Sequence, residues 1–368
     1  MDEKHRISHG RLHENGKILF IITHMGKTRT EHCTFIAVNH LVWQILEAVV
    51  INHILVPLDG SALAECVLPH VEAIAPVTNA RITLIHVLEH PDSMSGSFPI
   101  DPVGWHMQKQ ESQSYLERMV ERLQSSGFSA EHIILEGKSA EGIIEFAHTN
   151  AVDLIVLSTH GRTGLSGWSV SSVVQKVLLR SYRSILLVRA YQPELGSQIH
   201  YKRMFIGSDC STRAEFILPI AMSLAQFHKS QLIVGTVIER PQVIQRLPPT
   251  EKDLKLIKQL TDKNQKTASH YHEQLVTQLS LKGLDVRTSM VVADHVIGTL
   301  HDMVNELGAD LVLLVAHGDT GERRWPYGSI TTSFIAHGNA PLLIMQDLSE
   351  QDVLPSLAEQ AIREAKGH

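Results

Sequence analysis

The sequence predicts an α/β protein made of two tandem five-stranded parallel open sheets, each flanked by helices in a doubly wound arrangement. Three observations carry this. Short β-branched apolar runs alternate with longer segments of helical period, the signature of parallel strands joined by crossover helices. The chain repeats itself: HILVPLDGSALAECVLPHVEAIA at 53–75 aligns with RMFIGSDCSTRAEFILPIAMSLA at 203–225. Finally, 368 residues with 43% hydrophobic and 20% charged content suffice for two cores of ordinary size.

The repeat extends through each half. ITLIHVLEHP aligns with LIVGTVIERP, and VDLIVLSTHGRTGLSGWSVSSVVQKVLLRSYRSILLV aligns with ADLVLLVAHGDTGERRWPYGSITTSFIAHGNAPLLIM. The alignment pairs Asp59 with Asp209, Ser61 with Ser211, Leu68-Pro69 with Leu218-Pro219, His160 with His317, Gly161 with Gly318 and Ser172 with Ser329. It sets the expected organisation: an N-terminal extension at 1–48, one domain at 49–190, its copy at 200–348 and a short amphipathic helical tail at 349–368.

In the first copy, strands are expected near 53–58, 81–88, 131–135, 153–158 and 184–189, and helices near 62–76, 105–126, 139–149 and 171–182. The second copy follows suit, with a long helix near 250–281. Pro69 and Pro219 fall inside the first helix of each copy and are expected to kink it. Residues 89–104 read as an exposed loop. The apolar stretch at 35–58 carries Asn39, His40, Gln44, Glu47, Asn52 and His53, too many polar residues for a membrane span.

A net charge of −6 gives no broad footprint for nucleic acid or an anionic membrane, and neither partner is expected. Three cysteines without CxxC spacing indicate neither a disulfide framework nor a zinc site and fit a reducing cytoplasm. The N-terminus lacks the basic region and long apolar core of a signal peptide. The histidines at 270 and 272 alternate faces of a polar helix and read as surface residues rather than metal ligands.

The stretch STHGRTGLSGWSVSS at 158–172 holds the chemistry. Rich in glycine, serine and threonine, it lies between a buried strand and a helix start, where backbone N–H groups and the positive end of the helix favour an anion. An ordinary strand-to-helix turn has similar composition. In open parallel sheets, however, ligands bind outside the carboxyl ends of strands where the strand order reverses, and the best-repeated residues follow the first and fourth strands. GLSGW is not a GxSxG elbow, no GxxxxGK[ST] occurs, and no nucleophile, base and orienter set emerges. His160 and His317 read as loop-orienting residues. Asp59 and Asp209 suit both helix capping and ligand binding, with Ser61 and Ser211 as alternative caps.

Together, ILVPLDGS, LIHV and THGRTGL resemble the universal stress protein family in its tandem form, over residues 52–347. The resemblance implies the adenine nucleotide alpha hydrolase-like fold and, for ATP-binding members, the pattern G-x2-G-x9-G-[ST] after the fourth strand. It further implies that Asp59 hydrogen-bonds adenine or ribose, that the Pro57 carbonyl faces the ribose, that Val87 offers its backbone to the adenine edge, and that Gly161, Ser171, Ser172 and Val173 hold phosphate. The corresponding second set is Asp209, Val237, Gly318, Gly328, Ser329 and Ile330. Ser158 and Ser171 replace two of the pattern's glycines in the first copy. In the second, Val315 replaces the first glycine, where its side chain is expected to crowd the ribose, and Gly207 replaces the proline.

The expected function is a cytoplasmic stress-response regulator that binds ATP, or AMP or ADP, with or without magnesium, in one or both copies. At most it hydrolyses ATP slowly. The two repeats are expected to pair within the chain, with homodimerisation as a further assembly. The alternatives are a nucleotide-independent interaction module and a nucleotidyl transferase, the latter without its HxGH-type or SGGxDS-type signature.

Overall fold

The computed structural model describes residues 51–89, 102–161, 170–190, 198–241, 250–319 and 325–348. The expected N-terminal extension, the C-terminal tail, most of the 89–104 loop, and Arg323 and Arg324 lie outside the described residues.

The first repeat contains β1 (His53–Pro57), α1 (Ala62–Glu65), α2 (Leu68–Thr78), β2 (Arg81–Leu88), α3 (Pro102–Ser125), β3 (Ala130–Glu136), α4 (Ser139–Thr149), β4 (Leu154–Ser158), α5 (Ser172–Arg180) and β5 (Ser184–Val188). The second contains β6 (Arg203–Gly207), a 3-10 turn (Ala214–Ile217), α6 (Leu218–His228), β7 (Gln231–Glu239), α7 (Glu251–Leu281), β8 (Asp285–Ala293), α8 (Val296–Glu306), β9 (Leu311–Val315), α9 (Ser329–His337) and β10 (Leu342–Met345). The prolines correct one expectation. A short α1 ends before Leu68, and Pro69 occupies the first turn of a new helix, α2; Pro219 does the same in α6. A first-turn position needs no N–H, so proline starts these helices rather than kinking them.

The strand order is β3-β2-β1-β4-β5-β10-β9-β6-β7-β8. Pairing within each repeat is parallel, but β5 and β10 pair antiparallel, with Leu186 opposite Leu343, so the two five-stranded sheets join into one of ten strands. The reason lies in SILLV and LLIM, which are buried along their whole length. Left as edges, two such apolar strands would expose a row of unpaired backbone groups; pairing them satisfies these, while helices cover the faces. One apolar layer crosses the seam, from Leu55, Ile155 and Leu187 to Leu342, Val312 and Phe205.

Helices reinforce the seam. His228 Nε2 donates to the Ala73 carbonyl of α2 at 3.0 Å, and His70 Nδ1 lies 2.8 Å from the Tyr201 hydroxyl. The buried Arg189 donates to the Phe334 and Ile335 carbonyls at the C-terminal end of α9 at 2.5 and 3.0 Å, where the helix dipole favours a cation. No described helix is long and apolar enough to cross a membrane.

Candidate functional site

In the first repeat β1 lies between β2 and β4, and the crossover direction reverses between β1 and β4. The loops leaving these two strands therefore face each other across the carboxyl end of the sheet. Asp59, just past β1, accepts from the Ser61 amide at 3.0 Å and the Ser61 hydroxyl at 2.6 Å. Ser61 Oγ in turn accepts the Ala64 amide at 3.1 Å and caps α1, so the sequence's two candidate roles divide between neighbours: Ser61 caps and Asp59 faces the crevice. Across it, Gly161 comes so close that an added Cβ would fall on the Asp59 carboxylate, which is why this position is glycine. The Ser158 hydroxyl donates to the His160 carbonyl at 2.8 Å and holds the turn from below.

The helix start narrows the anion-binding groups. The Ser171 amide donates to the Thr159 carbonyl at 2.9 Å, and its Oγ accepts the Val174 amide at 3.4 Å. Ser171 therefore builds the α5 cap and presents no amide. Ser172 and Val173, in the first turn, carry amides with no intrahelical acceptor, and these point from the positive end of α5.

A cleft of about 330 Å³ brings these residues together: Pro57, Asp59, Val87, Ser158, Gly161, Ser171, Ser172 and Val173 all line it. Three further lining residues escaped the sequence reading. His86 donates from Nδ1 to the Leu58 carbonyl at 2.7 Å and shapes the floor. Glu89 accepts the Ser139 amide at 2.9 Å, and the Ser139 backbone and hydroxyl hold its carboxyl below the usual range, keeping it ionised. Its signal was present in the repeated LEHP and IERP. Gln108 arrives from α3 with no local signature. The cleft is thus polarised, with Asp59 and Glu89 on the β1–β2 side and the start of α5 on the β4 side.

The second repeat places its counterparts alike. Asp209 accepts the Ser211 amide at 3.0 Å and the Asp319 amide at 2.8 Å, Gly318 approaches Asp209 closely, and the Gly328 amide donates to the Ala316 carbonyl at 2.8 Å. Ser329 and Ile330 open α9, and Val237 lies in β7 opposite Val291. Val315 is only 7% exposed. Its neighbours Leu314 and Ala316 belong to the apolar layer of α8 and α9, so alternation turns Val315 toward the Ala214–Ile217 turn, against which β9 packs. Leu314 Cδ2 takes the space that a side chain at Gly207 would need, so glycine stands here where the first copy has Pro57.

The loop histidines differ between copies. His317 uses both ring nitrogens, Nδ1 at 2.8 Å from Asp347 and Nε2 donating to the Trp325 carbonyl at 2.5 Å. His160 places Nδ1 3.1 Å from Thr159 Oγ1, while its buried Nε2 has no partner among the described residues. His272 corrects the surface reading. It is 4% exposed, with Nε2 2.9 Å from Thr236 Oγ1, because the C-terminal half of α7 packs on β7 and β8. Among the described residues no three His, Cys, Asp or Glu side chains converge to hold a metal, and Cys66 and Cys210 are free thiols.

A family model for the universal stress protein family matches residues 51–189 and 200–346. The chain belongs to the universal stress protein family. Relatives include a universal stress protein of Methanocaldococcus jannaschii, 26% identical over 157 residues that span 39% of this chain and 97% of that one. Another is universal stress protein YxiE of Bacillus subtilis, 29% identical over 147 residues, spanning 38% and 99%. Among solved structures, a universal stress protein from Archaeoglobus fulgidus aligns with a TM-score of 0.58 at 17% identity, covering 80% of this chain and 98% of that one, a likeness of fold.

Proposed function

We propose that the first-repeat cleft of this universal stress protein binds ATP or a related adenine nucleotide, and that nucleotide occupancy is what the protein reports in a stress response. One observation carries the reading: the polarity of the cleft. Asp59 and Glu89 offer acceptors to the adenine amino group and the ribose hydroxyls, while the Ser172 and Val173 amides at the start of α5 suit phosphate. The near-contact of Gly161 with Asp59 leaves backbone, and no side chain, between the two ends. Pro57 and Val87 complete the wall. Magnesium, when carried, would be held chiefly by the phosphates. The role we infer is binding, since among the described cleft residues no nucleophile and base are paired.

The test is mass analysis of small molecules released by denaturing the freshly purified full chain, followed by calorimetric titration of the emptied protein with ATP. Co-purifying adenine nucleotide, or saturable ATP binding in the micromolar range, is the expected result. A chain that releases none and takes up none is an interaction module independent of nucleotide.

A further inference from the structure

Where the repeats join, two histidines meet at a distance that hydrogen bonding does not explain. His228 closes α6 and is 2% exposed. Its Nε2 lies 3.0 Å from the Ala73 carbonyl of α2, and a carbonyl only accepts, so Nε2 carries the proton and Nδ1 of the neutral ring carries a lone pair. That Nδ1 lies 3.4 Å from Nδ1 of His200, in the stretch just before β6. An N–H donor usually sits about 2.7–3.2 Å from its acceptor, so the contact is long for a hydrogen bond. Two nitrogens on one tetrahedral zinc ion, each at about 2.0–2.1 Å from the metal, stand about 3.3–3.4 Å apart. The ring planes cross at 72° with centroids 5.1 Å apart, so the rings do not stack.

The surroundings prepare His228 as a ligand. Ala73 fixes its tautomer, the part that a carbonyl plays behind metal-bound histidines. Tyr201 and Phe227 pack edge-on against its ring, with centroids 5.1 and 5.0 Å away, and hold its direction. It also stands in the last turn of α6, where the negative end of the helix favours a cation. His200 is exposed, so water can complete the coordination shell from its side. Among the described residues no third His, Cys, Asp or Glu joins the pair, which makes the site exchangeable rather than a closed structural one. The first repeat has no counterpart: the alignment of the copies puts Val50 and Thr78 at these positions.

We propose that His200 and His228 bind one zinc ion, or a divalent cation of like chemistry, and that this ion clasps the stretch before β6 to α6 and, through His228, to the Ala73 carbonyl of the first repeat. Imidazole ligands suit zinc, copper and nickel rather than magnesium or calcium. No residue of the first-repeat cleft takes part, so the site stands apart from the nucleotide reading.

Calorimetric titration of the metal-free full chain with zinc chloride counts the ions, and the same titration of His200→Ala reads the clasp, because His200 is an exposed side chain whose removal should leave the fold intact. The variant should bind one zinc ion fewer. The chain's 23 histidines allow zinc to bind elsewhere, so the difference between the two proteins decides, and equal counts overturn the proposal. Urea unfolding gives a second readout. Saturating zinc should raise the unfolding midpoint of the wild type more than that of His200→Ala, because an ion held only by the folded pair stabilises that state. Equal shifts overturn the clasp, and so does a wild type that takes up no zinc. Magnesium chloride should leave the two proteins alike; a difference as large as zinc's overturns the imidazole site.

Discussion

Asp59 owes its place to Ser61, which returns two hydrogen bonds to the carboxylate while its own oxygen caps the following helix. The carboxylate is thereby fixed before any ligand arrives. Replacing it with alanine should weaken ATP binding by roughly 1–3 kcal/mol, the range for leaving a buried ligand donor without its acceptor. Calorimetry on the full chain checks this, and an unchanged affinity removes Asp59 from the site. Ser171 works differently. Its amide is used by Thr159 and its hydroxyl caps α5, so Ser171→Ala should cost about 1 kcal/mol of stability in denaturant unfolding, and Ser171→Gly only a few tenths. A Ser171→Ala protein as stable as wild type would show that the cap contributes nothing.

At the scale of elements, the two repeats reach the same sheet with different side chains. Leu55 on β1 and Ile85 on β2 correspond to Phe205 on β6 and Gly235 on β7. A Cβ at Gly235 would collide with the Phe205 ring, so the larger residue on one strand occupies what the smaller one on its neighbour vacates. Close-packed interiors accept such exchanges when total volume is kept. Gly235→Ala alone should therefore destabilise the protein by about 1–3 kcal/mol through overpacking. Phe205→Leu in the same chain should recover part of that loss, a coupling that a double-mutant cycle on unfolding free energies measures. Strictly additive changes would mean that the ring and the glycine do not share this space.

Across the whole molecule, the seam between repeats carries buried histidines. Burial lowers His70 to about 4 and also lowers His228, so both favour the neutral form in the folded chain. The unfolded chain binds a proton on each near pH 6.5. Stability from these groups is therefore fully present above about pH 6.5 and falls as pH drops toward 4, because the unfolded state takes up more protons. For His70 alone, unfolding free energy should fall by about 2 kcal/mol between pH 7 and pH 5. Urea titrations at the two pH values test this against His70→Gln, which should show a smaller decline. An identical decline in the variant would place the acid sensitivity elsewhere.

Fold class, strand positions and the residues gathered around the first cleft were legible in the sequence because they rest on local signals: alternation of strand and helix periods, the internal repeat, and glycine where two backbones approach. The resemblance to the universal stress protein family rested on the same short motifs. Other features answered only to tertiary structure. The union of two sheets through β5 and β10 depends on pairing strands that are distant in sequence and carry no register mark of their own. The roles of Ser171 and Val315 turned on which partner each backbone or side chain meets, and His272 was buried by packing of a helix whose sequence looks polar. His200 and His228 meet across 28 residues of chain, and each alone reads as an ordinary polar residue. Hydrophobic period and turn chemistry act between neighbours along the chain and can be read there; hydrogen bonds and ion pairs between remote segments exist only once the sheet has brought those segments together.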